Sequence, residues 1–165
     1  MSRSLKSEQL QIRISAAQKS AIEQAARRAG MDMSSYVLQR VLPPVAERFQ
    51  ECVTSLAGPA APSFALAELN RLLSALTTSE LREAVAEPPA HLPSALIANY
   101  VAAMVEYACG RGSISPPAWI AAVPPLTDPL FGSELPSLRL YLLTRSPPPF
   151  RRRNIFIDSS LGGQV

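Results

Sequence analysis

Proline divides this chain in two. All 16 prolines stand at or after Pro43. Proline has no amide to donate and its ring clashes with the preceding helical turn, so the chain beyond that point is cut into short pieces. The residues before it are free of such breaks and carry the most regular pattern in the sequence. Three parts follow: a module over 1–43, a helical domain over 44–145 punctuated by proline, and an extended basic and apolar tail over 146–165.

Within the first part, Gln9-Leu10-Gln11-Ile12-Arg13-Ile14 alternates polar and apolar residues with the period of a strand, so that Leu10, Ile12 and Ile14 share one face and Gln9, Gln11 and Arg13 the other. Ser15-Ala16-Ala17-Gln18 has the spacing of a capping box. It predicts a helix from Ala16 to about Ala29, with Ile22, Ala25, Ala26 and Ala29 as a narrow apolar stripe. Gly30 stands where a left-handed residue closes a helix, and Asp32 can cap a second helix from Met33 to Leu42 whose buried face is Met33, Tyr36, Val37 and Val41. A lone strand with no complement in its own chain must pair with a second copy, which predicts an intertwined dimer.

Taken together, Ile12-Arg13-Ile14-Ser15, the Ala-rich helix with Ala25-Ala26, and Gly30-Met31-Asp32-Met33-Ser34-Ser35-Tyr36-Val37 resemble the ribbon-helix-helix DNA-binding domain of the Arc and MetJ type, most of all its antitoxin versions. The resemblance covers residues 8–42. It implies that two chains pair Gln9–Ile14 antiparallel and that the ribbon enters a DNA major groove. The fold class expected is mainly α: an N-terminal ribbon-helix-helix (β-α-α, intertwined dimer), a small helical domain and the extended tail.

The residue chemistry fits that role. Gln9, Gln11 and Arg13 would read bases, since Gln pairs bidentately with adenine and Arg with guanine. The free amides and hydroxyls at Met33, Ser34 and Ser35 would take a DNA phosphate, as would Arg3 and Lys6 in the Ser-rich N-terminal arm. Charge distribution agrees. Residues 1–42 hold seven Lys/Arg against three Asp/Glu, giving +4; residues 43–138 hold four against nine, giving −5; residues 139–165 hold five against one, giving +4. The acidic middle is a poor match for DNA.

An apolar content of 47% speaks against global disorder. No run is long and apolar enough to cross a membrane and the N-terminus has no apolar signal segment, so a cytoplasmic location is expected. Cys52 and Cys109 are too few and too far apart for a zinc site or a disulfide framework, and read as small buried hydrophobes. His91, the single histidine, has no recognisable catalytic company, and no Gly-rich phosphate loop appears. No enzyme activity, metal or cofactor is expected.

Beyond Pro43 the apolar spacing predicts helices over Pro44–Leu56 (Val45, Phe49, Cys52, Val53, Leu56), through Leu66, Leu69, Leu73 and Leu76, after the capping box Thr77-Thr78-Ser79-Glu80, and from Pro93 to Cys109 with Leu96, Tyr100, Met104 and Tyr107 on one face and Gly110 as the stop. Trp119 reads as a packing anchor in a short proline-started helix, and Ser137 to Thr144 as a leucine-rich piece. Ser146-Pro147-Pro148-Pro149 predicts a stiff polyproline-like spacer. The terminal segment Phe150, Arg151, Arg152, Arg153, Ile155, Phe156 and Ile157 then has two open uses: to dock on a partner, or to pack back on the helical domain.

Two functions remain open at this level. One is an antitoxin and autorepressor of a toxin-antitoxin system, binding its own operator and neutralising a cognate toxin through its C-terminal region. The other is a transcriptional regulator whose helical domain binds a ligand or oligomerises, with no toxin.

Overall fold

The computed structural model describes residues 11–41, 44–58 and 62–158. The chain forms two compact units, residues 1–44 and 45–165.

In the first unit, helix α1 (Ala16–Arg28) starts at the capping box read from the sequence. Ser15 Oγ accepts the Gln18 amide at 3.2 Å, and the Ser15 amide donates to Gln18 Oε1 at 2.9 Å. At the other end Gly30 takes φ +67°, and the amides of Gly30 and Met31 reach back to Arg27 O (3.1 Å) and Ala26 O (3.0 Å). These two bonds satisfy carbonyls the helix leaves open, in a turn that a side chain with a Cβ adopts only under strain. Helix α2 (Met33–Val41) then packs on α1. Ala26 is buried and Ile22 and Ala25 are half-buried. The predicted buried face of α2 is looser than expected: Tyr36 and Val37 are half-buried, while Met33 and Val41 are 37% and 70% exposed.

The ribbon-helix-helix expectation is overturned here. Residues 11–14 carry no strand, and Ile12 and Ile14 are 61% and 43% exposed. Gln9 and Leu10 lie outside the described residues. Alternation makes a two-faced strip, yet a strand also needs a neighbour's amides and carbonyls, and the described residues of this chain supply none there. The antiparallel pairing of Gln9–Ile14 falls with it, and among the described residues the architecture is helical, with two short strands late in the chain.

The second unit is built around helix α6 (Ala95–Arg111), capped at Ser94 by its hydroxyl accepting the Ile97 amide. Rather than burying one face, α6 is enclosed: Ile97, Val101, Ala102, Ala103, Met104, Val105, Ala108 and Cys109 are all buried, whereas Leu96 is 38% exposed. Ala102 and Ala103 let neighbours approach closely. Gly110 does not stop the helix. It runs on to Arg111, and Ser113 takes the left-handed turn (φ 54°) with Ile114 N donating to Cys109 O. Helix α6 packs on α4 (Pro62–Ala75), α5 (Thr78–Ala84) and α8 (Pro148–Arg151), while α3 (Val45–Ser55) packs on α4 and α5. Phe49, Val53 and Leu56 of the α3 segment meet Ala65, Leu69, Leu72 and Leu73 of α4 in the core. Trp119, in a 3-10 turn over Ala118–Ala122, anchors that turn by donating from Nε1 to Val85 O at 2.9 Å. Among the described residues no helix is long and apolar enough to cross a membrane.

The last segment departs most from expectation. Only Ser146 and Pro147 are extended; Pro148 and Pro149 open α8. Proline is well suited to a first helical turn, where its fixed φ fits and its missing amide is not needed. After α8, Asn154 turns the chain in a left-handed conformation (φ 59°) and holds Leu126 O with its side-chain amide at 2.6 Å. Strand β2 (Ile155–Phe156) then pairs parallel with β1 (Leu130–Phe131), Leu130 opposite Ile155 and Phe131 opposite Phe156. Helix α7 (Arg139–Arg145) is tied to this ladder through Ser146, whose Oγ lies 2.7 Å from both Leu142 O and Ile157 O.

Candidate nucleic-acid interface

The segment leading into α1 and the helix pair expose several basic side chains. Gln11, Arg13, Arg27, Arg28 and Arg40 are all exposed. Glu23 lies between Lys19 (3.9 Å) and Arg27 (3.8 Å) on α1. Exposed pairs of this kind are worth only about 0.3–0.5 kcal/mol each, so they do little to stop these cations turning to another anion. The Arg40 guanidinium sits over the Tyr36 ring, 5.6 Å from its centroid. That contact leaves the guanidinium edges available to an acceptor.

Of the residues expected to meet DNA, Gln11 and Arg13 are exposed ahead of α1. Arg3, Lys6 and Gln9 lie outside the described residues. Met33, Ser34 and Ser35 do form the first turn of α2, but that turn is already capped. Asp32 Oδ1 accepts the Ser35 amide at 3.0 Å and Asp32 Oδ2 accepts the Ser35 hydroxyl at 2.6 Å. A carboxylate occupies the position that a phosphate would take, and its charge repels a second anion. The phosphate role expected of Ser35 is therefore not what its geometry serves.

The C-terminal residues expected to bind a partner are divided by the fold. Phe150, Arg153, Ile155 and Phe156 are buried and Ile157 is half-buried; Arg151 and Arg152 are exposed. Phe150 meets Tyr100 edge-on, with centroids 6.1 Å apart, and Phe156 stacks on Phe131 at 5.1 Å. Ile155 and Phe150 belong to the same core as α6. Arg152 pairs with Glu106 at 2.5 Å. These apolar residues thus complete their own unit rather than a free docking strand.

The sequence reading missed the polar centre of this unit. Asn99 is 1% exposed and donates to Ala95 O (2.9 Å) and Pro124 O (3.0 Å), while its Oδ1 accepts from Arg153 Nη1 at 3.3 Å. Arg153 also donates to Val123 O at 3.2 Å and to Ile120 O at 3.0 Å. Burial pushes its guanidinium below the usual arginine range; Glu106 works against that shift and Arg152 adds to it. Its only signal in the sequence was the apolar company of Ile155, Phe156 and Ile157. Cys52 and Cys109 are free thiols, both pushed up chiefly by burial, and His91 is exposed.

A helix pair that exposes several arginines is the class of module the first unit defines. Residues 5–49 match the NikA-like family, described as Mobilization protein NikA. That match, 45 of 165 residues, replaces the Arc and MetJ antitoxin likeness read from the sequence. No curated protein and no solved structure matches the chain.

Proposed function

We propose that the first unit binds DNA and that the chain is a DNA-binding protein of the mobilization type. The match of residues 5–49 to NikA-like mobilization proteins, a DNA-binding family, carries this reading. The +4 balance of residues 1–42 supports it, because lysines and arginines placed on phosphates release the counterions condensed on the duplex. Gln11 and Arg13 stand exposed in the segment that precedes α1; together with Gln9, Arg3 and Lys6 they are the side chains we assign to DNA contact. Asp32 caps α2, so phosphate contact falls to the arginines rather than to that helix end.

Binding of the full chain to duplex DNA by fluorescence anisotropy tests the proposal. Affinity should fall steeply with salt, and replacing Arg13 and Arg28 by Glu should weaken it at least about tenfold and flatten the salt slope. Salt-independent binding, or none at 50 mM salt, overturns it.

The exposed apolar side chains of this unit, Ile12, Met31, Met33, Leu38 and Val41, favour association of two copies by side-chain packing. Analytical ultracentrifugation should show a dimer that Val41→Asp dissociates; a monomer at tens of micromolar overturns this part. The antitoxin role and a cognate toxin draw no support from a match that names a mobilization protein.

A further inference from the structure

The second unit buries an arginine with no carboxylate of its own. Arg153 is 6% exposed, and among the described residues its hydrogen bonds run to neutral oxygens, on Asn99, Val123 and Ile120. A guanidinium has five N–H donors, and Nε meets no acceptor among the described residues. Glu106, the carboxylate that acts on Arg153, is held in an ion pair by Arg152. Buried cations are ordinarily matched by an anion, because an uncompensated charge in a medium of low polarity is costly.

The same two arginines and Glu106 line a groove of about 460 Å³, and most of its remaining wall is proline and aliphatic: Pro116, Pro117, Val123 and Pro125. That volume falls within the range of small-molecule sites, about 300–1,000 Å³. Two guanidinium groups against one carboxylate leave a net charge of +1, which matches a single negative charge, and the proline wall matches an apolar body.

We propose that this groove binds a small apolar monocarboxylate. Its carboxylate engages Arg152 directly, Arg153 behind it in the wall supplies the uncompensated positive charge, and its hydrocarbon lies on the prolines. A carboxylate suits the pair because guanidinium donors fit its two oxygens in one plane. A second carboxylate on the ligand would meet Glu106 and be disfavoured. This site is independent of the DNA-binding surface proposed for the first unit.

Isothermal titration of the full chain with octanoate and benzoate, against the neutral octanamide and benzamide, tests the assignment. At least one acid should bind with a dissociation constant of about 1 mM or tighter, and its amide at least tenfold more weakly. Arg152→Gln should weaken the acid at least tenfold. Replacing Arg153 endangers the fold, so the second variant is Ala121→Trp, which changes an exposed groove residue and should abolish binding with the far-ultraviolet circular dichroism unchanged. The proposal is overturned if neither acid binds, if acid and amide bind alike, or if Ala121→Trp leaves affinity intact. Tenfold tighter binding of N-acetyl dileucine than of octanoate would overturn the small-molecule assignment in favour of a peptide C-terminus.

Discussion

The two units of this chain contain similar helices and are held together in different ways. Among residues 11–41 only Ala26 is buried, and six large apolar side chains there are more than a third exposed. In the second unit the core takes in α3, α4, α5 and α6 and reaches forward to Phe150 and Ile155. Local devices therefore decide the first unit: a capping box, a left-handed glycine and an Asp cap. In the second, similar devices only place helices whose stability comes from burial. A helix pair of such length is marginal in water without tertiary packing, and the described residues of the first unit show little of it.

The sharpest way to break the comparison is to remove the end of the chain. Stopping after Pro149 deletes Phe150, Arg153 and Ile155 from the core. Each lost large side chain costs about 2–5 kcal/mol, against a total of about 5–15 kcal/mol for a whole domain. The truncated protein should lose its cooperative thermal transition. Removing residues 1–14 instead should leave the second unit's midpoint where it was. A truncated chain with an intact transition would show that the last segment is an appendage after all.

Next in size is a matched pair of cap substitutions. Ser15 and Thr77 occupy the same position in the same kind of box, one in each unit. Thr77→Ala should lower the stability of the second unit by about 1 kcal/mol, read from urea unfolding. Ser15→Ala should leave that transition unmoved and reduce helix content in the first unit alone. If Ser15→Ala shifts the second unit's midpoint as far as Thr77→Ala does, the units are not energetically separate.

What could be read in advance follows the same division. Both boxes and the Gly30 turn were legible because each depends on residues within a few positions of one another. The stop placed at Gly110 was wrong because the enclosed helix α6 gains more by continuing than the glycine loses, and Ser113 makes the turn instead. The strand expected over Gln9–Ile14 was misread, its described residues 11–14 forming none, because alternation specifies two faces and leaves the pairing partner unspecified. Arg153 was read with Arg151 and Arg152 as a partner-docking run, or else as solvated, and in neither case as buried. Its partners Asn99, Ile120 and Val123 lie 30 to 54 residues away in sequence, a distance over which local pattern carries no information. The groove it lines was invisible for the same reason, although each proline in its wall was plain to see.

The smallest expected effect separates the two boxes by chemistry. In the first unit the closing residue is Gln18, which does not titrate; in the second it is Glu80, whose Oε2 accepts the Thr77 amide at 2.8 Å and the Thr77 hydroxyl at 2.6 Å. Those bonds, the side-chain one first, hold the Glu80 carboxyl below the ordinary value of 4.5, with a lesser contribution from Arg48 and some opposition from burial. A carboxylate whose folded pKa is depressed adds stability that is fully present above its unfolded pKa and is lost as pH falls through the folded value. The second unit should therefore lose stability progressively as pH drops below 4.5, and Glu80→Gln should remove part of that slope while leaving the curve above pH 6 nearly parallel. Solvent screening at this partly exposed group keeps the effect small. Thermal midpoints of both proteins measured from pH 7 to pH 3 are the check: identical slopes would mean that the Thr77–Glu80 bonds are no stronger in the folded chain than the water they replace. Exchanging the boxes, with Gln18→Glu in the first unit, should raise the pH dependence of α1 without altering that of the second unit.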